Sequence, residues 1–141
     1  MGLNIKKIIL ICICLLTAIY TDAQLNYKYA KSIGHSGEDY GTSIAVDNSG
    51  NSYVMGTFNG TVDFDPGAGV QNIAGGGMFC AKYDSLGNYV WAFGITTTTS
   101  FKSNYKLVLD ASSNVYITGI YTNDVDFDPS ADSAYLTTPL S

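Results

Sequence analysis

The chain has 141 residues, with seven Lys and no Arg against twelve acidic residues, for a net charge of −5. Phosphate recognition is supplied by Lys and Arg, so this balance argues against nucleic acid as a partner and equally against anionic lipid. Glycine occurs 15 times, Tyr 11 times, and all but one of the acidic residues are Asp; Asp favours turns where Glu favours helix interiors, so the composition predicts strands joined by tight turns.

The first residues read as an address. Lys6 and Lys7 precede an unbroken apolar run, Ile8 to Leu16, extended through Ala18 and Ile19, and Thr21 and Ala23 are small residues at the two positions a signal peptidase reads. Residues 1–23 are therefore predicted to be a signal peptide cleaved before Gln24, leaving a secreted or cell-surface protein without membrane insertion. The run falls short of the roughly 20 apolar residues a spanning helix needs. Cys12 and Cys14 each follow an Ile inside that run, which argues against lipid attachment. Cleavage removes Lys6, Lys7 and Asp22 and takes the net charge from −5 to −6. It leaves one cysteine, Cys80, which cannot staple the domain internally and reads as a small buried hydrophobe.

Leu25–Lys31 resembles a strand without a partner. Its Asn26, Tyr27, Tyr29 and Ala30 match Asn88, Tyr89, Trp91 and Ala92 further on. Residues 25–35 thus read as an orphan outer strand, and Gly34 to Asp39, which holds the only histidine, His35, reads as a loop. A first strand is expected over Thr42–Asp47, with Ile44 and Val46 on one face. Asp47-Asn48-Ser49-Gly50-Asn51 is a turn: the Asp side chain caps it and Gly supplies positive φ. Ser52–Phe58 is a second strand, apolar on both faces, as suits a strand covered on both sides. Thr61–Phe64 is a third, short strand. The glycine-rich stretch Pro66–Gly77 is expected to be irregular, with Gly75-Gly76-Gly77 a flexible connector; no lysine or helix follows to make it a phosphate loop. Met78–Tyr83 and Tyr89–Phe93 form a hairpin around a second such turn, Asp84-Ser85-Leu86-Gly87-Asn88. No segment shows an apolar 3.6-residue period with helix caps. The fold class is all-β.

The stretch Asp47–Pro66 returns without a gap at Asp110–Pro129, a period of 63 residues in which ten of twenty positions match, including the whole run Val-Asp-Phe-Asp-Pro. A fixed period of this kind marks a modular architecture. Residues 36–98 form the first full repeat and residues 99–141 a partial second one. In the second, Thr96–Ser100 and Lys102–Asn104 replace the loop before the first strand, and Lys106–Asp110 restores that strand. Ser113 stands where Gly50 stood, so its turn either changes type or carries strain.

Tyr-Ala-Lys-Ser-Ile-Gly (29–34), Ser-Ile-Ala-Val-Asp-Asn-Ser-Gly-Asn-Ser-Tyr-Val-Met-Gly (43–56), Val-Asp-Phe-Asp-Pro-Gly (62–67) and Phe-Cys-Ala-Lys-Tyr-Asp-Ser-Leu-Gly-Asn-Tyr-Val-Trp-Ala (79–92) together resemble the SBBP β-propeller repeat family. The resemblance spans about residues 27–136. It implies antiparallel four-stranded blades of a β-propeller, here incomplete at about one and a half to two blades, in an exported bacterial protein with a scaffold or surface role. It also implies that further blades of a longer protein are partners of this region. Such a stretch standing alone would expose large apolar faces and open strand edges.

The residues with most chemical promise are the repeated pairs Asp63/Asp65 and Asp126/Asp128. In a strand, each pair projects from one face and could offer oxygen ligands to Ca²⁺; the competing reading is that Asp65 starts a turn before Pro66 while Phe64 fills the core. Carboxyls roughly 7 Å apart also fall within the range used by glycosidases, although a catalytic pair needs no copy in each repeat. Tyr53, Tyr116, Phe58, Tyr121, Tyr83, Tyr89 and Trp91 are expected in the blade core, with some free to stack on sugars. Neither catalytic nor metal-binding residues are assigned, and no cofactor is implied. The expectation is a non-enzymatic extracellular binding, adhesion or scaffolding module with a protein or glycan ligand. The alternative is part of a polysaccharide-acting enzyme whose catalytic groups lie elsewhere.

Overall fold

The computed structural model describes residues 26–96, 102–121, 123–130 and 132–137. The predicted signal peptide, Leu25 of the predicted orphan outer strand and most of the Thr96–Ser100 replacement lie outside them. The described residues are all-β, with eight strands and no helix: β1 Tyr40–Val46, β2 Ser52–Asp63, β3 Asn72–Tyr83, β4 Tyr89–Thr96, β5 Lys102–Leu109, β6 Val115–Ile120, β7 Val125–Asp126 and β8 Tyr135–Leu136. Strands β1 to β4 form one antiparallel sheet in sequence order, the meander of a propeller blade, while β5–β6 and β7–β8 form two separate ladders. The sheets do not close on one another.

Three expectations from the sequence are corrected. Residues 26–39 carry no strand; they have the side-chain pattern of an outer strand but no ladder partner, so they pack through side chains instead. Thr61–Phe64 is not a separate strand, because β2 runs unbroken from Ser52 to Asp63 through Gly60, whose φ of 78° a glycine adopts without strain. The glycine-rich stretch is irregular only as far as Gln71. From Asn72 it is strand, with Gly75, Gly76 and Gly77 paired to Gly60, Asn59 and Phe58. Glycine is a poor strand former alone, but β2 offers a partner along the whole length, and the pairing overrides the local preference.

The second repeat reproduces this geometry at the same offset. Val62 and Asp63 pair with Ile73 and Asn72; 63 residues on, Val125 and Asp126 pair with Leu136 and Tyr135. Beside β6, however, no described strand occupies the place that β3 takes beside β2. An apolar cleft of about 470 Å³, lined by Met78, Ile95, Ile117, Tyr121 and Leu136 among others, opens there.

Apolar residues on both faces of β2 build two cores, as its sequence predicts. One face contributes Tyr53, Met55, Met78, Cys80 and Ile95, and shares a core with Tyr105, Leu107 and Val125 of the second repeat. The other face contributes Phe58, Val62, Phe64, Phe79, Ala81 and Tyr83, with Ile33 from the N-terminal segment packed against them. The second-repeat equivalents of Phe58, Val62 and Phe64 are Tyr121, Val125 and Phe127, and these join the first core. The two repeats therefore stack front to back. The Leu107 N–H donates to Ser43 Oγ (3.2 Å) and ties β5 to β1 across the seam.

Candidate functional site

The three Asp-x-x-x-Asn turns share one construction. In the first, Gly50 N–H donates to the Asp47 carbonyl (2.9 Å) and Asp47 N–H to the Asn51 carbonyl (3.0 Å), closing a three-residue hairpin loop. The Asp47 carboxylate braces it: Oδ1 accepts from the N–H groups of Ser49 and Asn51, both at 2.9 Å, and Oδ2 from Asn51 Nδ2 at 2.8 Å. Asp84 does the same with Leu86 and Asn88, and Asp110 with Ser112 and Asn114. Hydrogen bonding stabilises the ionised form, so all three carboxyls sit below the ordinary Asp value. The Asn51 side chain is the main cause at Asp47, the Asn88 N–H at Asp84 and the Asn114 side chain at Asp110. Lys82 Nζ approaches Asp47 Oδ2 at 3.9 Å and lies 4.8 Å from the centre of the Tyr53 ring.

The paired aspartates hold backbone as well. Asp63 Oδ1 accepts from the N–H groups of Asp65 (3.0 Å) and Gln71 (2.8 Å), which span the loop between β2 and β3; these two bonds, Gln71's first, keep its carboxyl below the ordinary value. Asp65 Oδ1 accepts from Gly67 N–H at 2.7 Å. The second repeat copies each bond: Asp126 Oδ1 takes Asp128 and Ala134, and Asp128 Oδ1 takes Ser130. Phe64 between them is fully buried, and its carbonyl accepts the Tyr83 hydroxyl at 3.0 Å. The oxygens considered as calcium ligands or as a glycosidase pair thus have a structural use in both repeats. Among the described residues no group of three or more His, Cys, Asp or Glu is placed to hold a metal ion.

Cys80 is fully buried in the seam core, and burial pushes its thiol up to about 12. His35 lies in a loop, where its Nδ1 and backbone N sit 3.0 Å and 2.8 Å from Asp39 Oδ2. The Asn59 N–H donates to the other Asp39 oxygen at 3.2 Å. Burial raises the Asp39 carboxyl, but these bonds together, His35's foremost, leave it below the ordinary value. Of the seven aromatics assigned to the core, Tyr53, Phe58 and Tyr83 are buried, and Trp91, Tyr89 and Tyr121 are half-buried. Trp91 meets the Tyr53 ring edge-on, at 5.9 Å between centres. Tyr116 is exposed.

One feature escaped the sequence reading. A more polar cleft of about 610 Å³ lies between the repeats, lined by Asn59, Gly75, Gly76, Thr96, Asp124, Asp126 and Tyr135. The signal for it was where the second repeat departs from the first, with Asp124 in place of Thr61 and Tyr135 in place of Asn72. Asp124 and Asp126 are i and i+2, and Tyr135 is directly opposite Asp126 in the β7–β8 ladder. Gly75 and Gly76 leave the cleft wall free of side chains.

A stacked-sheet architecture with braced turns at a fixed period defines a propeller repeat protein. Residues 24–62, which reach from the N-terminal segment through β1 and most of β2, match the family model of the SBBP β-propeller repeat. The WD repeat-containing protein L264 of Acanthamoeba polyphaga mimivirus is 30% identical over 123 residues, an alignment covering 74% of this chain and 9% of that protein. This chain thus spans less than a tenth of that relative's length. No solved structure matches.

Proposed function

We propose that the chain is a non-enzymatic, exported β-propeller repeat module that binds a ligand, adheres or scaffolds outside the cell. The observation that carries this reading is the use of the repeated carboxylates: each holds turn or loop backbone, in copies one period apart, and a duplicated brace is architecture. The lysine-led apolar run ahead of Gln24 supports export. The cleft between the repeats suits the ligand. Tyr135, exposed beside the carboxylates of Asp124 and Asp126, offers an aromatic face and hydrogen-bond acceptors to a polyhydroxylated glycan.

Two measurements test this. Sequencing the N-terminus of protein recovered from outside the cells is expected to start at Gln24. A glycan array with the whole chain is expected to give signals that Tyr135→Ala and Asp124→Ala each reduce at least tenfold. Release of reducing ends from a bound polysaccharide would overturn the reading in favour of an enzyme, and signals untouched by both substitutions would remove the cleft.

A further inference from the structure

The polar cleft between the repeats stands clear of the faces on which the sheets stack. Strands β2 and β3 run on as a hairpin beyond their neighbours: the β1 ladder stops at Thr57 and the β4 ladder at Gly77, while β2 and β3 stay paired as far as Asp63 and Asn72. On this projecting part Asn59, Thr61 and Asn72 are exposed, although Tyr53 and Met55 on the same hairpin are buried under the second repeat. Thr61 and Asn72 are the first-repeat equivalents of Asp124 and Tyr135. Exposure at these positions therefore belongs to the hairpin, in a repeat that already has a neighbour stacked on it.

Within the cleft the second repeat departs from the first in charge. Asp126 copies the brace of Asp63, its Oδ1 accepting from the N–H groups of Asp128 and Ala134. Asp124 copies nothing, since Thr61 stands one period earlier, and among the described residues it braces no turn and pairs with no cation. At i and i+2 the two carboxylates lie roughly 7 Å apart along an extended chain, inside the Debye length of about 8 Å at physiological salt. No Lys, Arg or His is among the described residues that line the cleft. The two fields add, and the cleft attracts positive charge. Tyr135, exposed and directly opposite Asp126, adds an aromatic face, which attracts a cation as well.

We propose that the cleft selects a saccharide carrying a free amine, a non-acetylated amino sugar, over neutral and anionic glycans. The proposal rests on the reading of the cleft as a glycan site and names the sugar it takes. The ammonium donates to the Asp124 carboxylate and to the Asp126 oxygen that the loop does not use; charge-assisted hydrogen bonds of this kind are roughly twice as strong as neutral ones. The Thr96 hydroxyl and the Asn59 side-chain amide offer partners to the sugar hydroxyls, and Gly75 and Gly76 let the ring approach the backbone closely. Acetylation removes the charge that both aspartates attract, and a uronate or sulfate is repelled by the same pair.

Calorimetric titration of the whole chain with a glucosamine disaccharide, its N-acetylated form and a galacturonic acid disaccharide tests this. The glucosamine form is expected to bind at least tenfold more tightly than the acetylated one, and the galacturonic acid form to give no binding. Added salt is expected to weaken the glucosamine form alone, a measurement that needs no substitution. Asp124→Asn, which removes the charge and keeps the size, is expected to bring the two forms level. Asp132→Asn, at an exposed aspartate outside the cleft lining, is expected to keep the preference; thermal melts establish that both variants fold. Equal affinity of the unsubstituted chain for both forms, reduced by Tyr135→Ala, overturns the selection and leaves the glycan reading standing. No binding of any of the three overturns it as well, and the glycan array then separates the two failures: signals there keep the cleft a glycan site, and silence removes both. A preference lost equally in Asp132→Asn overturns the proposal by assigning the effect to the acidity of the chain, and so does heat from Ca²⁺ alone that Asp124→Asn abolishes, which would make Asp124 a metal ligand.

Discussion

Ser113 occupies a position held by glycine in the two sister turns, and it keeps their conformation. Its φ is 64°, against 81° at Gly50 and Gly87, and the same carbonyl accepts its N–H. Of the two outcomes the sequence left open, the turn carries the strain. A left-handed non-glycine residue costs roughly 1 kcal/mol, part of which Ser113→Gly would return as entropy of a freer unfolded chain. Urea unfolding is therefore expected to show Ser113→Gly stabilised by about 0.5 kcal/mol and Gly50→Ala destabilised by about 1 kcal/mol. Gly87→Ala should lose more than Gly50→Ala, because a Cβ at Gly87 would come within 2.8 Å of the Tyr29 ring. The aspartates of these turns set a pH dependence. Each has its folded-state value lowered from 3.8, so each contributes stability that is complete above that pH and disappears as pH falls through and below it. Thermal melts from pH 6 to pH 3 should fall below about pH 4. The triple variant Asp47→Asn, Asp84→Asn, Asp110→Asn should start lower at pH 6 and fall less. These turns were legible in the sequence because Asp, Gly and Asn act locally. The fate of Ser113 was not, since the brace that imposes its φ comes from hydrogen bonds that composition does not count.

Strand extent is decided by partners, and there the sequence was least informative. Gly60 and the Gly75–Gly77 run look like breaks in a one-dimensional reading, yet they pair with each other and with Asn59 and Phe58 in an unbroken twelve-residue ribbon. The converse holds for Tyr27–Lys31, which has the residues of a strand and no ladder to join. Both misreadings arise because hydrogen-bond pairing is non-local while propensity is local. The alternation of apolar residues on β2 was legible, since a period of two needs no partner to be seen, and so was part of Val-Asp-Phe-Asp-Pro: Phe64 inward and Asp65 at a turn, but not the bonds by which Asp63 closes the loop. The loop-closing role of Asp63 gives a directional expectation. Asp63→Ala removes the acceptor shared by the N–H groups of Asp65 and Gln71 and should lower the midpoint of chemical unfolding. Asp126→Ala, at the much shorter β7–β8 ladder, should give a smaller loss by the same measurement, because less pairing depends on that loop.

At the scale of the whole chain, repetition was legible as a 63-residue period, and the resemblance it supported agrees with the meander and the stacked sheets. The polar cleft was not legible, because its walls come from residues 59, 75, 76, 96, 124, 126 and 135, which only the stacking of one repeat on the next brings together. Equivalent residues such as Tyr53 and Tyr116 differ in burial for the same reason: their surroundings are set by the neighbouring sheet and not by their own repeat. The sheet order β1-β2-β3-β4 has a further consequence, in time. Every strand of that sheet pairs with the strand next to it in sequence, so its contacts are closed through turns and short loops, with little chain to search. Low contact order speeds folding. During synthesis from the N-terminus the first blade can be complete before the second has been made, and the seam then grows on a surface already formed.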